Sequence, residues 1–133
     1  MNKKHCLLTN LLHLENDGWS AKMMSKEHNV DNYAEVERIF SEHPPSEKST
    51  VIKMERLLGQ LAPLRAIGDF RYKWSKDIME KKVVPYYGHS AIPQNYYTPP
   101  YLTAKPEIKY HRLTPRDKFL IIGTSEIKSK IYQ

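Results

Sequence analysis

The 133-residue sequence contains a single cysteine, Cys6, so no internal disulfide can form and no Cys/His zinc pattern exists. Its six histidines are dispersed, and none stands at the HExxH spacing of a zinc helix. No apolar run approaches the about 18 residues of a membrane span. Met1 to Leu14 has two lysines, no arginine, no acid and no small-residue cleavage site after it. That composition fits neither a secretory signal nor a mitochondrial presequence, so a targeting signal is not visible here. The net charge of +6 and pI near 9.3 favour anionic partners at long range. The lysines are scattered, however, with no arginine-rich block and no RNA-binding aromatic signature, which argues against a dedicated nucleic-acid surface. There are no internal repeats.

What is present suffices for one domain with a modest core: hydrophobic residues make up 40% against 27% charged. Residues 1–18 differ from the rest. Leu7-Leu8 and Leu11-Leu12 fall at helical spacing, so the segment reads as a short amphipathic helix or as a frayed terminus. Trp19 to Ser25 reads as a strand with Trp19, Ala21 and Met23 on one face. Asn32 followed by Glu35 makes a capping-box arrangement. Tyr33, Val36, Ile39 and Phe40 then form the core face of a helix, with Arg38 and Glu42 as an exposed pair, and Pro44-Pro45 ends it. Ser49 to Met54 and Leu57 to Leu61 suggest strands or one bent strand, and Ser75 to Lys82 a helical turn. Residues 83–101 interleave tyrosines with Pro85, Pro93, Pro99 and Pro100, a composition that favours extended, polyproline-like paths. Such a segment either presents a tyrosine surface to a partner protein or packs down as a loop. Pro106 to Leu113 alternates like a half-buried strand. Thr114-Pro115-Arg116-Asp117 is a turn, and Lys118 to Ile122 is a near-continuous apolar strand of the sandwich-core type.

The densest mixture of glycine, arginine, acid and aromatic residues lies between Arg56 and Trp74. Glycines there suggest positive φ or close backbone approach, and Arg65 and Asp69 are placed to hold a turn together. Arg56-Leu57-Leu58-Gly59-Gln60-Leu61 followed by Arg65-Ala66-Ile67-Gly68-Asp69 resembles the signature of the PPM-type (type 2C) metal-dependent serine/threonine protein phosphatases. Within that family, Asp69-Phe70-Arg71-Tyr72-Lys73-Trp74-Ser75 and Tyr97-Thr98-Pro99-Pro100-Tyr101-Leu102-Thr103-Ala104 are similar to the mitochondrial pyruvate dehydrogenase phosphatases. The likeness spans residues 19–124, leaving 1–18 and 125–133 as divergent ends and 83–101 as a surface excursion.

The resemblance implies an α+β fold, a fragment of the family's α-β-β-α sandwich. It also implies a reaction: Mg²⁺ or Mn²⁺ held by aspartates deprotonates a water that attacks the phosphorus in line. The implied substrate is phosphoserine on the E1 component of the pyruvate dehydrogenase complex, in the mitochondrial matrix. Carried over residue by residue, Arg56, Gly59, Arg65, Gly68 and Asp69 are structural members of the signature, Asp69 ordering a loop. Ser25-Lys26-Glu27-His28-Asn29 resembles a family segment in which His28 either contacts substrate or caps a loop. The family's essential aspartate follows the strand that matches Lys118 to Ile122. Gly123 and Thr124 match, but Ser125 stands in the aspartate's place and Glu126 in that of the next glycine. Serine is a poor neutral ligand for these ions, and the family's upstream ligand motifs do not occur in residues 1–18. The sequence therefore predicts a phosphatase-like chain without its metal ligands, inactive alone, as a splice product, gene fragment or misread frame would give. The alternative is a non-catalytic binding module that uses the tyrosine–proline segment.

Overall fold

The leucine-rich stretch near the start forms a strand, not the helix its spacing allowed. The computed structural model describes residues 7–16 and 18–124. In chain order the strands are β1 (Leu7–Glu15), β2 (Gly18–Met23), β3 (Ile52–Lys53), β4 (Arg56–Leu57) and β5 (Asp117–Thr124); the helices are α1 (Tyr33–Glu42), α2 (Lys48–Val51), α3 (Lys76–Lys82) and α4 (Val84–Tyr87). An isolated helix as short as the leucine segment is marginal in water, whereas β1 gains two antiparallel partners. β2 lies on one side, from Asn10 opposite Met23 to Glu15 opposite Gly18, and β5 on the other, from Leu7 opposite Thr124 to His13 opposite Asp117. The sheet order is β2-β1-β5, with a register shift at Leu12/His13.

The chain divides into two compact units, His28–Lys105 and a second that joins Met1–Glu27 to Pro106–Gln133. In the second unit, Trp19, Ala21 and Met23 share a face as expected. That face is open, with Trp19, Met23, Leu14 and Phe119 exposed and the Trp19 ring 5.5 Å from that of Phe119. Among the described residues β5 pairs only with β1, and Phe119, Leu120 and Ile122 are more than half exposed, not core as their run suggested. Pro106 to Leu113 forms no strand. Its alternation is real, but no strand among the described residues offers it a ladder, and Ile108, Tyr110 and Leu113 stay exposed.

The first unit carries the larger core: Ile39, Val51, Leu57, Leu58, Leu61, Leu64, Tyr72, Tyr96, Tyr101 and Leu102. Helix α1 contributes Ile39, with Val36 and Phe40 partly buried against that cluster, while Tyr33 points to solvent. Asn32 makes no side-chain cap bond to the helix, and Glu35, expected to complete the capping box, is buried instead. The strands expected over 49–61 shrink to the two-residue pair β3-β4, because Lys48 to Val51 takes a helical turn. Ser75 caps α3 by accepting from the Ile78 N–H at 3.3 Å. Residues 84–91 coil into α4 and a 3₁₀ turn, His89–Ala91, where an extended path was expected; Pro85 fits the first turn of α4, where no N–H is needed.

Candidate functional site

The signature stretch folds as two closely spaced loops. In the first, Leu58 and Gly59 both take positive φ, and Leu57 bridges Leu61 across the loop they form. Arg56 closes it by donating from Nη1 to the Gln60 carbonyl at 3.2 Å. The Gln60 side-chain oxygen in turn accepts from the Tyr72 hydroxyl and from Arg71 Nη2, each at 3.2 Å. In the second loop Gly68 (φ 78°) and Asp69 (φ 51°) are successive left-handed residues. Asp69 leads into a 3₁₀ turn, Phe70–Tyr72, and its carbonyl accepts from the Tyr72 N–H at 3.0 Å. A left-handed aspartate is tolerated because its short side chain can bond locally, so the glycine–aspartate order suits the turn.

Arg65 joins these loops to the rest of the unit. Its Nε donates to Glu35 Oε2 at 2.8 Å, its Nη2 bonds Glu35 Oε1, and its Nη1 reaches the Lys105 carbonyl at 3.0 Å. The fork is the bidentate geometry in which guanidinium and carboxylate bind most strongly. Arg38 adds Nη2 to Glu35 Oε2 at 3.1 Å, Nη1 to Glu42 at 2.8 Å and a 3.3 Å bond to the Leu64 carbonyl. Burial pushes the Glu35 carboxyl up, but the Arg65 hydrogen bonds and the Arg38 and Arg65 charges outweigh it, leaving the carboxyl below its usual range. The backbone is tied at the same place: Arg65 bridges Thr103, Ala66 N–H donates to the Thr103 carbonyl at 3.0 Å, and Lys73 Nζ donates to the Ala66 carbonyl at 2.6 Å. His28 is brought beside the signature through its carbonyl, which accepts from the Leu64 N–H at 2.6 Å. Ser125 lies outside the described residues.

A second network, not visible in the sequence, centres on Glu47. The Tyr101 hydroxyl donates to Glu47 Oε2 while accepting from the Tyr97 and Thr98 N–H groups, each at 2.9 Å. The Thr98 hydroxyl donates to Glu47 Oε1 at 2.8 Å and so accepts from His43 Nδ1 at 2.8 Å. That fixes the proton on Nδ1, and the imidazole stacks on the Tyr101 ring at 4.4 Å. Burial pushes the His43 pKa down against the pull of Glu47 and Glu42. Burial and the Glu47 bond push the Tyr101 hydroxyl up. The tyrosine–proline segment thus divides: Tyr96 and Tyr101 are core, Tyr96 donating to the Trp74 carbonyl at 2.6 Å, whereas Tyr86, Tyr87 and Tyr97 are exposed.

In the other unit, Asp117 collects two imidazoles. His13 Nδ1 lies 2.7 Å from Oδ1 and His111 Nε2 3.0 Å from Oδ2, which also accepts from the Thr114 N–H at 2.6 Å and hydroxyl at 3.1 Å. The Thr114 amide, with His111 and the Thr114 hydroxyl, holds this carboxyl down at about 2. The Asp117 N–H returns to the Thr114 carbonyl at 3.0 Å, closing the turn read from Thr114-Pro115-Arg116-Asp117.

Among the described residues no group of three or more His, Cys, Asp or Glu side chains could hold a metal ion. The buried carboxylates are engaged instead, Glu35 by two arginines and Glu47 by Tyr101 and Thr98, and Asp117 Oδ2 is taken by His111 and Thr114. The described residues therefore do not fit a dinuclear metal centre, and no reaction step can be built from them through one.

A model of the protein phosphatase 2C family matches residues 11–131, so the chain belongs to that family. Its mixed α+β architecture is that of a fragment of the family fold. Among curated proteins it is 50% identical over 119 residues to bovine (Bos taurus) mitochondrial [pyruvate dehydrogenase [acetyl-transferring]]-phosphatase 1, covering 83% of this chain and 22% of that protein. It is 45% identical over 116 residues to the human phosphatase 2 of the same name, at 83% and 22% coverage. The Saccharomyces cerevisiae phosphatase 1 is 37% identical over 116 residues, at 84% and 20%. The chain thus spans about a fifth of the length of these relatives. No helix among the described residues is long and apolar enough to cross a membrane.

Proposed function

We propose that this chain carries structural scaffold of a pyruvate dehydrogenase phosphatase, the arginine–glycine signature and the tyrosine–proline segment, without supplying the metal chemistry. The observation that carries this reading is the pairing of 50% identity to the bovine enzyme with two buried carboxylates, Glu35 and Glu47, that serve internal bonds. Arg56, Gly59, Arg65, Gly68 and Asp69 act here as loop-ordering residues, and His28 positions the chain ahead of α1. The family depends on Mg²⁺ or Mn²⁺; this polypeptide alone does not retain the ion as a working centre, since Ser125 replaces a ligand aspartate. Its setting is the mitochondrion, where the relatives' names place them, and its physiological partner is phosphorylated pyruvate dehydrogenase.

The test is hydrolysis of a phosphoserine peptide from pyruvate dehydrogenase by the purified 133-residue polypeptide in Mn²⁺, with and without chelator. No rate above the chelated control is expected. A metal-dependent rate abolished by chelator would overturn the non-catalytic reading.

A further inference from the structure

The register of the β2-β1-β5 sheet sorts its side chains into two unlike faces. Directly opposed residues share a face, so Leu14 with Trp19, Leu12 with Ala21 and Phe119, and Asn10 with Met23 and Ile121 lie on one side. None of these residues is charged, and Asn10 is the one polar member. His13, Ser20 and Lys22 belong to the opposite side. The uncharged side is open: Leu14, Trp19, Met23 and Phe119 are 44%, 57%, 49% and 60% exposed. The Trp19 and Phe119 rings, 5.5 Å apart, make a ridge across β1. Ala21, two residues along β2 from Trp19, leaves a low point beside that ridge on the same face. The four exposed side chains present on the order of 500 Å² of apolar surface on one copy of the chain.

We propose that this face is the interface of a homodimer, in which two copies of the chain stack sheet against sheet. Area, charge and shape each favour a second copy. Two such faces together bury about 1,000 Å², which reaches the size of a specific contact before any rim is counted. A chain of net charge +6 repels its own kind at long range, and an uncharged face is where two copies can meet with no like charges in contact. A two-fold axis sets the Trp19–Phe119 ridge of each copy against the other's low point at Ala21, a self-complementary fit. Sheets stacked in this way lie about 10 Å apart, as in a sandwich. None of Arg56, Gly59, Arg65, Gly68 and Asp69 lies on this face, so the pairing goes beyond the phosphatase reading and is tested apart from hydrolysis.

The experiment is sedimentation equilibrium of the purified full chain from about 1 to 100 µM, the range expected of an interface at the small end of the scale. The mass should rise from one copy to two and stop there. Pairing should tighten as salt is added, because salt screens the repulsion between the two positive chains. Trp19→Lys, and Phe119→Lys from another strand of the same face, should each weaken pairing at least about tenfold with unchanged far-ultraviolet circular dichroism, since both rings are exposed. Lys22→Ala, on the opposite side of the sheet, should pair like the parent. The proposal is overturned by a parent that stays monomeric, by a mass that climbs past two copies, or by pairing that weakens with salt. It is equally overturned if the folded Trp19 and Phe119 variants pair like the parent, or if Lys22→Ala abolishes pairing. A monomeric parent that associates only when the rest of the bovine phosphatase is added as a separate polypeptide would give the face to that partner instead.

Discussion

Arg65 and Glu35 form the pair on which the signature turns. Glu35 is 4% exposed, and without the Arg65 fork its Oε1 loses its donor while Oε2 keeps only Arg38 at 3.1 Å. Arg65→Ala should lower the unfolding free energy by about 2–3 kcal/mol in a urea titration. Arg65→Lys keeps the charge but loses the fork, and should cost about 1–2 kcal/mol. A lysine variant as stable as the parent would show that charge, not bidentate geometry, holds the loop. Half of this arrangement was legible in the sequence. Gly59 and Gly68 marked positive-φ turns, which residue type alone declares. Glu35 was hidden, because its local pattern read as a capping box and its arginine lies 30 residues away. His43 and Glu47 were hidden for the same reason: their partners Thr98 and Tyr101 belong to a segment whose composition suggested a surface.

At the scale of elements, the tyrosine–proline segment is held from within by Tyr101. Its hydroxyl serves one carboxylate and two backbone N–H groups, so Tyr101→Phe strands all three and should destabilise by about 2–3 kcal/mol. Tyr97→Ala, at an exposed ring, should stay within about 0.5 kcal/mol. Thermal melts of the two variants make the comparison, and equal losses would refute the division of the segment. Partner capture must therefore be probed with Tyr86, Tyr87 and Tyr97, since Tyr96→Ala would remove a core ring. Helices α1 and α3 and the turn before β5 were readable because each is specified by neighbours: an apolar face, a serine cap, a proline at the turn's first central position. Pro106 to Leu113 misled because alternation states which face a strand would bury, not whether another strand lies alongside. β5 was recognised as a strand, yet its burial was not, since apolar runs do not distinguish the middle of a sheet from its edge.

Across the molecule, acid should act in two steps. His43 is buried neutral, so the unfolded chain binds its proton more readily; this contribution is complete above the ordinary value of 6.5 and is lost as pH falls below it. Glu35, its carboxyl depressed, contributes fully above the ordinary 4.5 and loses that contribution as pH falls further. The melting temperature should therefore begin to fall below about pH 6.5 and fall again below about pH 4.5. His43→Asn, whose amide can still donate to Thr98, should flatten the first step alone. A melting temperature unchanged between pH 7 and 5 in the parent would contradict this assignment.

The pairing of β1 with β5 also constrains how the chain can reach its native state. β1 and β2 adjoin in sequence and can zip as soon as both are made. The free edge of β1 must then wait while the whole of His28–Lys105 is synthesised before β5 emerges to cover it. Through that interval the ribosome-bound chain carries an open hairpin edge along β1. That interval is when a holding chaperone has the most to bind.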